Sequence, residues 1–255
     1  TFGYCDDETV IGTSFFIMDP VIGNIYCELL LPGCDPNQRR EIYLSMNDTI
    51  AKLHNVDFDK VNLADYGKHE NYMDRQIHRW TKQYKDSETQ MIPEINELIE
   101  WLPKNIPSDQ ETTIVHGDFR LDNMIFDPIT HEVKAILDWE LSTLGNPIAD
   151  FTYHMMSWRL PAGAKGLGMM GSDLKSLNIP SENEYAELYY KKTGREKIDN
   201  WDFYMAYNIF RLAGIAQGIV GRVRDGTASS SEAKNYEAFV PILGKLGWSI
   251  VEGIK

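Results

Sequence analysis

Residues 114–126, Ile-Val-His-Gly-Asp-Phe-Arg-Leu-Asp-Asn-Met-Ile-Phe, constrain this chain more than any other stretch, because apolar runs there bracket a loop of acid and amide groups. Met124-Ile-Phe126 and Val133-Lys-Ala-Ile-Leu137 are short apolar runs, and Asp127-Pro-Ile-Thr130 between them carries turn chemistry. The segment is therefore predicted to fold as a β-hairpin. Antiparallel pairing about a centre near residue 130 places Asn123 and Asp138 side by side at the open end. An amide oxygen and a carboxylate there would leave room for waters and phosphate oxygens, which is how Mg²⁺ prefers to be held.

Phosphoryl transfer needs such a set: an acceptor that orients the attacking hydroxyl, and oxygen ligands for Mg²⁺ on the nucleotide phosphates. His116-x-Asp118-x-x-x-x-Asn123 has the spacing of a kinase His-x-Asp loop and its downstream Asn. Asp118 is thus the candidate base, Asn123 and Asp138 the candidate metal ligands, and His116 the residue that orients the loop. The plainer alternative is that Asp118, Asp122 and Asp138 cap turns. The ordered combination of strand, His-Gly-Asp, five-residue step to Asn and hairpin-returned Asp favours chemistry. Arg120 stays open between a catalytic contact, with the transferred phosphate or an anionic acceptor, and a structural pair with Asp122 or Glu140.

Through His116-Gly-Asp-Phe-Arg-Leu-Asp-Asn123, Leu137-Asp-Trp-Glu140 and Gly145-Asn-Pro-Ile-Ala-Asp150 the chain resembles the aminoglycoside-phosphotransferase-like kinases. Leu137 to Pro147 and Val10-Ile-Gly-Thr-Ser-Phe-Phe-Ile-Met18 are similar to the branch associated with acyl-CoA dehydrogenases, a likeness that extends to Asn200–Tyr207 and Phe210-Arg211. The resemblance implies an α+β, protein-kinase-like two-lobed fold with a mostly helical large lobe. Residues 1–23 would be a remnant of the small lobe with the hinge, and 24–255 the large catalytic lobe. It further implies that hinge residues Met18, Asp19 and Val21 bind the adenine of ATP, and that Mg²⁺ is required. The implied acceptor is a small-molecule hydroxyl, with a hydroxyacyl-CoA suggested by the branch and an acyl-CoA dehydrogenase as partner. An aminoglycoside or amino-sugar acceptor is the second reading.

One departure from the family pattern matters. Such kinases carry a phosphate-covering loop and a strand Lys ahead of the hinge, whereas the first Lys here is Lys52. The expectation is that both features lie upstream of residue 1. A third reading, a pseudokinase that binds without turnover, draws its support from this departure.

A formal charge of −13 argues against a nucleic-acid partner and against anionic membranes, while the low pI is compatible with cationic acceptors. No apolar run approaches the roughly 18 residues that span a bilayer, and the expected setting is the cytoplasm. Cys5, Cys27 and Cys34 show no metal-type spacing and are read as ordinary thiols.

Beyond the hinge, helices are predicted over 36–56, 72–84, 92–102, from Ser181-Glu-Asn-Glu184 to near Gly194, and over 201–223 and 232–254. Asp150, after Asn146-Pro147, is expected to act at a helix start through capping or the dipole. Arg211 in an apolar helix reads as an anion site or a buried ion pair. Gly163, Gly166, Gly168 and Gly171 weaken regular structure, and are read as a mobile lid or connector in preference to a phosphate loop.

Overall fold

The computed structural model describes residues 2–108, 111–163, 166–197, 199–227 and 236–254. In chain order its elements are β1 (Gly3–Cys5), β2 (Phe15–Ile17), α1 (Pro36–His54), α2 (Tyr72–Ser87), α3 (Pro93–Trp101), β3 (Thr113–Val115), β4 (Met124–Phe126), β5 (Val133–Ile136), β6 (Thr143–Gly145), α4 (Pro147–Met155), α5 (Glu182–Thr193), α6 (Trp201–Arg224) and α7 (Phe239–Ile254). The architecture is α+β, as expected.

Helix starts follow side-chain chemistry. Asp35 accepts from the N–H groups of Asn37 and Gln38 while the Gln38 side chain accepts from the Asp35 N–H, so a closed capping box sets α1 ahead of Pro36. Asn146 caps α4 through Ile148 and Ala149, and Ser181 caps α5, which ends on Gly194 in left-handed geometry. The apolar α6 is buried along most of its length and packs against α2, α4 and α7, while α7 also covers α3. This helical body carries the short strands on one side, through packing of α1 and α4 on β3 and of α1 on β5. No helix among the described residues is long and apolar enough to cross a membrane.

The strands form three antiparallel pairs, β1 with β2, β3 with β6 and β4 with β5. The last is the predicted hairpin, with Met124 opposite Ile136 and Ile125 opposite Ala135. The Leu137 N–H donates to the Asn123 carbonyl at 2.8 Å. Asn123 therefore faces Leu137, and Asp138 lies one residue beyond the expected partner position. Although β2 is built from aromatic and β-branched residues, it is exposed: Phe16 keeps 62% of its surface and Ile17 56%. Its ladder runs to β1, and a two-stranded ribbon alone cannot bury a face.

The connection from β2 into the helical body is tied down on the hairpin. Asn24 and Phe126 exchange backbone hydrogen bonds of 2.8 Å in each direction, and the Lys134 ammonium donates to the Ile22 carbonyl at 3.1 Å. A Cβ at Gly23 would stand 2.4 Å from the Phe126 carbonyl oxygen, so only glycine permits this approach.

The glycine-bearing stretch is anchored at both ends. Met169 donates to the Ser157 carbonyl, Met170 to that of Leu160, and Ala162 to that of Met170. Met169 is buried and takes a contact of 3.2 Å from the Tyr43 hydroxyl, as packing requires. Residues 164–165 of that stretch, and 232–235 of the last predicted helix, lie outside the described residues; the described helix starts at Phe239.

Candidate active site

The His-Gly-Asp loop follows β3, and its backbone is held from below by one carboxylate. Asp150, fully buried on α4, accepts from the His116 N–H and the Gly117 N–H at 2.8 Å each, and lies 3.2 Å from His54 Nε2. His54, on α1, meets the Tyr189 hydroxyl at 2.7 Å through Nδ1. The carboxylate thus spans α1, α4 and the loop. Burial alone would raise the Asp150 pKa, but the hydrogen bond and charge of His54 and the two loop N–H groups outweigh it and hold it below the usual carboxylate range. Of its two expected roles, capping falls to Asn146 because the Asp150 side chain is committed to the loop, while the placement in the first turn of α4 that the dipole reading required is met.

His116 fixes the loop from its other side. Its Nδ1 accepts from the Asp118 N–H at 3.1 Å, which leaves the proton on Nε2, and that nitrogen donates to the Leu137 carbonyl at 2.9 Å. The ring so joins the loop to the end of β5, the orienting role read from the sequence. Gly117 between them has φ +82°, and a Cβ there would stand 2.6 Å from the Leu141 carbonyl oxygen. Gly117→Ala is expected to destabilise the fold by about 1–3 kcal/mol, which thermal denaturation checks; an unchanged melting point would contradict the strain argument.

Both oxygens of the Asp118 carboxylate are engaged. Oδ1 accepts from the Tyr153 hydroxyl at 2.7 Å, and Oδ2 from the Asn123 amide at 3.0 Å, while the same amide donates to the Asp118 carbonyl at 2.9 Å. With its nitrogen committed, the Asn123 side chain has its oxygen left to offer a further partner. Asp138 follows β5 in left-handed geometry, with φ 63° and ψ 56°. Among the described residues no group of three or more His, Cys, Asp or Glu side chains is placed to hold a metal. One amide oxygen and one carboxylate at neighbouring strand ends would fit a Mg²⁺ that takes its other ligands from phosphates and water.

Beside this loop lies a cavity of about 250 Å³. Arg120, Asp122 and Tyr153 line it with Leu29, Met156 and Leu167. Arg120 takes the structural option, a two-point pair with Asp122 at 3.0 and 2.5 Å, and still borders the cavity. His154, also on the wall, is pushed down to about 4 by burial and is therefore uncharged at neutral pH.

Arg211 meets neither expectation. Its guanidinium donates to the Gly117 carbonyl at 2.5 Å and lies 4.2 Å from the Tyr153 ring centre and 5.3 Å from that of Trp80. A carbonyl and two ring faces take the place of the anticipated anion, and Nε is left without a hydrogen-bond partner. Met18 and Asp19 are exposed and Val21 is half-buried, on the connection that reaches the hairpin at Asn24. Sequence reasoning missed Tyr153, His54 and the loop-holding role of Asp150. The four-residue spacing of Asn146 and Asp150 was visible, but a carboxylate turned across to another element leaves no periodic signal.

Acyl-CoA dehydrogenase family member 10 of Mus musculus is 44% identical over 245 residues, covering 96% of this chain and 23% of that protein. Acyl-CoA dehydrogenase family member 11 of Homo sapiens is 39% identical over 246 residues, covering 96% of this chain and 31% of that protein. The chain thus spans between about a quarter and a third of the curated relatives it matches. A solved structure from Ralstonia eutropha, provisionally assigned as an aminoglycoside phosphotransferase, superposes with a TM-score of 0.93 at 48% identity, covering 98% of this chain and 77% of that one. The fold is the protein-kinase-like one that the resemblance implied. With the family profile matching residues 1–187 as well, the chain belongs to the phosphotransferase enzyme family.

Proposed function

We propose that this chain carries the large lobe of an ATP-dependent kinase that phosphorylates a hydroxyl of a small molecule, with hydroxyacyl-CoA as the acceptor class. The observation that carries this reading is the placement of the Asp118 carboxylate by Tyr153 and Asn123 while Tyr153 also borders the cavity. Asp118 orients the acceptor hydroxyl there and takes its proton. Asn123 and Asp138 would hold Mg²⁺, which supplies charge neutralisation on the nucleotide phosphates. Residues 1–23 belong with the small lobe and hinge, where Met18, Asp19 and Val21 border the adenine, and 24–255 form the large lobe. Arg120 keeps a catalytic part as the cation at the cavity edge, held in place by Asp122.

The acceptor class rests on the wall of the cavity. Leu29, Leu121, Met156, Leu167 and Leu212 are apolar, and Asp122, the one carboxylate among the described residues of the wall, is already paired with Arg120. A polycationic sugar would meet little free negative charge there, whereas an acyl segment meets these five apolar side chains on a wall that also carries Cys27, His154 and Ser157. Phosphorylation of the hydroxyl makes a better leaving group, which a dehydrogenase partner can exploit; two relatives bear acyl-CoA dehydrogenase names. The expected setting is the cytoplasm.

The test offers the intact protein γ-labelled ATP with a panel of hydroxyacyl-CoAs of graded chain length beside aminoglycosides. Label is expected in the acyl-CoA fraction. Label in the aminoglycosides alone would overturn the acceptor assignment.

A further inference from the structure

Tyr153 belongs to no motif of the loop, yet its hydroxyl makes the 2.7 Å contact with Asp118. It sits on α4, seven residues after the Asn146 cap and three after Asp150. The two residues face the loop together: Asp150 holds the backbone N–H groups of His116 and Gly117, and Tyr153 holds the carboxylate one residue on. The phenol is buried at its ring and borders the cavity. Below it, the Arg211 guanidinium 4.2 Å from the ring centre also bonds the Gly117 carbonyl. Arg211 Nε is buried and finds no hydrogen-bond partner, so the group accepts an unmet donor to keep this position.

The geometry points to Tyr153 as a positioning residue for the base, backed by Arg211: the phenol, itself on the cavity wall, fixes the plane of the Asp118 carboxylate. This rests on the phosphotransferase reading above. Two donors, one to each oxygen, determine the rotation of a carboxylate; Asn123 alone leaves it free to turn. The ring matters because its face lies on Arg211, which ties the phenol and the Gly117 carbonyl to one rigid group of α6. Burial raises the Tyr153 pKa well above its ordinary value, so the hydroxyl stays protonated and remains a donor throughout the working pH range.

Tyr153→Phe removes the hydroxyl and keeps the ring on Arg211. The reaction to follow is phosphate release from Mg-ATP by the intact protein with water as acceptor: the water oxygen bonds to the γ-phosphorus, the bond to ADP breaks, and the proton passes to Asp118. The expected result is a fall in kcat of roughly tenfold or more, with KM for ATP and the melting temperature unchanged. A spectroscopic readout accompanies it. In protein made with 3-fluorotyrosine, the ¹⁹F resonance lost in Tyr153→Phe identifies Tyr153 among the 13 tyrosines. That resonance is expected to shift in Asp118→Asn. A kcat equal to wild type, or higher, would overturn the inference, the higher value making the phenol a mere occupant of the acceptor position. A ¹⁹F resonance indifferent to Asp118→Asn would overturn it as well. Wild-type protein without turnover would overturn the phosphotransferase reading and this inference together, whereas an active wild type matched by Tyr153→Phe overturns this inference alone.

Discussion

Asp118→Asn is expected to lower phosphoryl transfer by roughly 10²–10⁴-fold while ATP affinity and melting temperature stay as in wild type. Asparagine keeps the shape of the side chain and an oxygen that accepts from Tyr153, and the Asn123 amide retains its 2.9 Å bond to the backbone carbonyl of residue 118. What is lost is a group that can take the proton of the attacking hydroxyl. Steady-state transfer from labelled ATP, with calorimetric ATP binding measured on the same samples, separates the two effects. Loss of transfer together with loss of binding would assign Asp118 to structure instead.

Asp150→Ala is expected to be the most damaging single change to stability, by about 3–5 kcal/mol, because it strips the partner from buried polar groups that cannot reach water. The N–H groups of His116 and Gly117 and the His54 ring would all lose the same carboxylate. Asp150→Asn gives the pH dependence. The folded pKa of Asp150 is depressed, so its stabilisation is present above the unfolded carboxylate value of about 4 and is lost as pH falls through the lower folded value. The stability gap between wild type and Asp150→Asn is therefore expected to be constant near neutrality and to shrink below about pH 4. Urea unfolding at a series of pH values checks it, and a gap that widened in acid would contradict the assignment.

The elements legible in the sequence are those written in local pattern. The hairpin of β4 and β5 announces itself through two apolar runs around Asp-Pro, and α1 through the helical spacing of Ile42, Met46 and Ile50, all buried in the fold. The loop from His116 to Asn123 is legible because its chemistry sits on consecutive residues, and His116 does orient it. Register was less legible. Asn123 faces Leu137 rather than Asp138, since a one-residue difference in where the turn closes carries the whole ladder with it, and pairing shifts again between Ile125 and Phe126.

What the sequence hides are contacts made only when distant elements meet. His54 and Asp150 lie 96 residues apart and approach because α1 and α4 both pack on β3. Arg211 reaches Gly117 across 94 residues, and no spacing rule connects an arginine in an apolar helix to a loop carbonyl. The exposed face of β2 is hidden for another reason. A run such as Phe15-Phe16-Ile17 reads as buried, and whether a face is covered depends on neighbours that the run itself does not encode.

On the proposed reading, Asn123 and Asp138 would hold the metal through which the phosphates of ATP are bound in front of Asp118. Calorimetric titration of ATP into the intact protein, with Mg²⁺ and with excess chelator, tests it most directly. Saturable binding that requires Mg²⁺ and is lost in Asp138→Asn is the predicted result; binding of equal strength in chelator, untouched by Asp138→Asn, would contradict it.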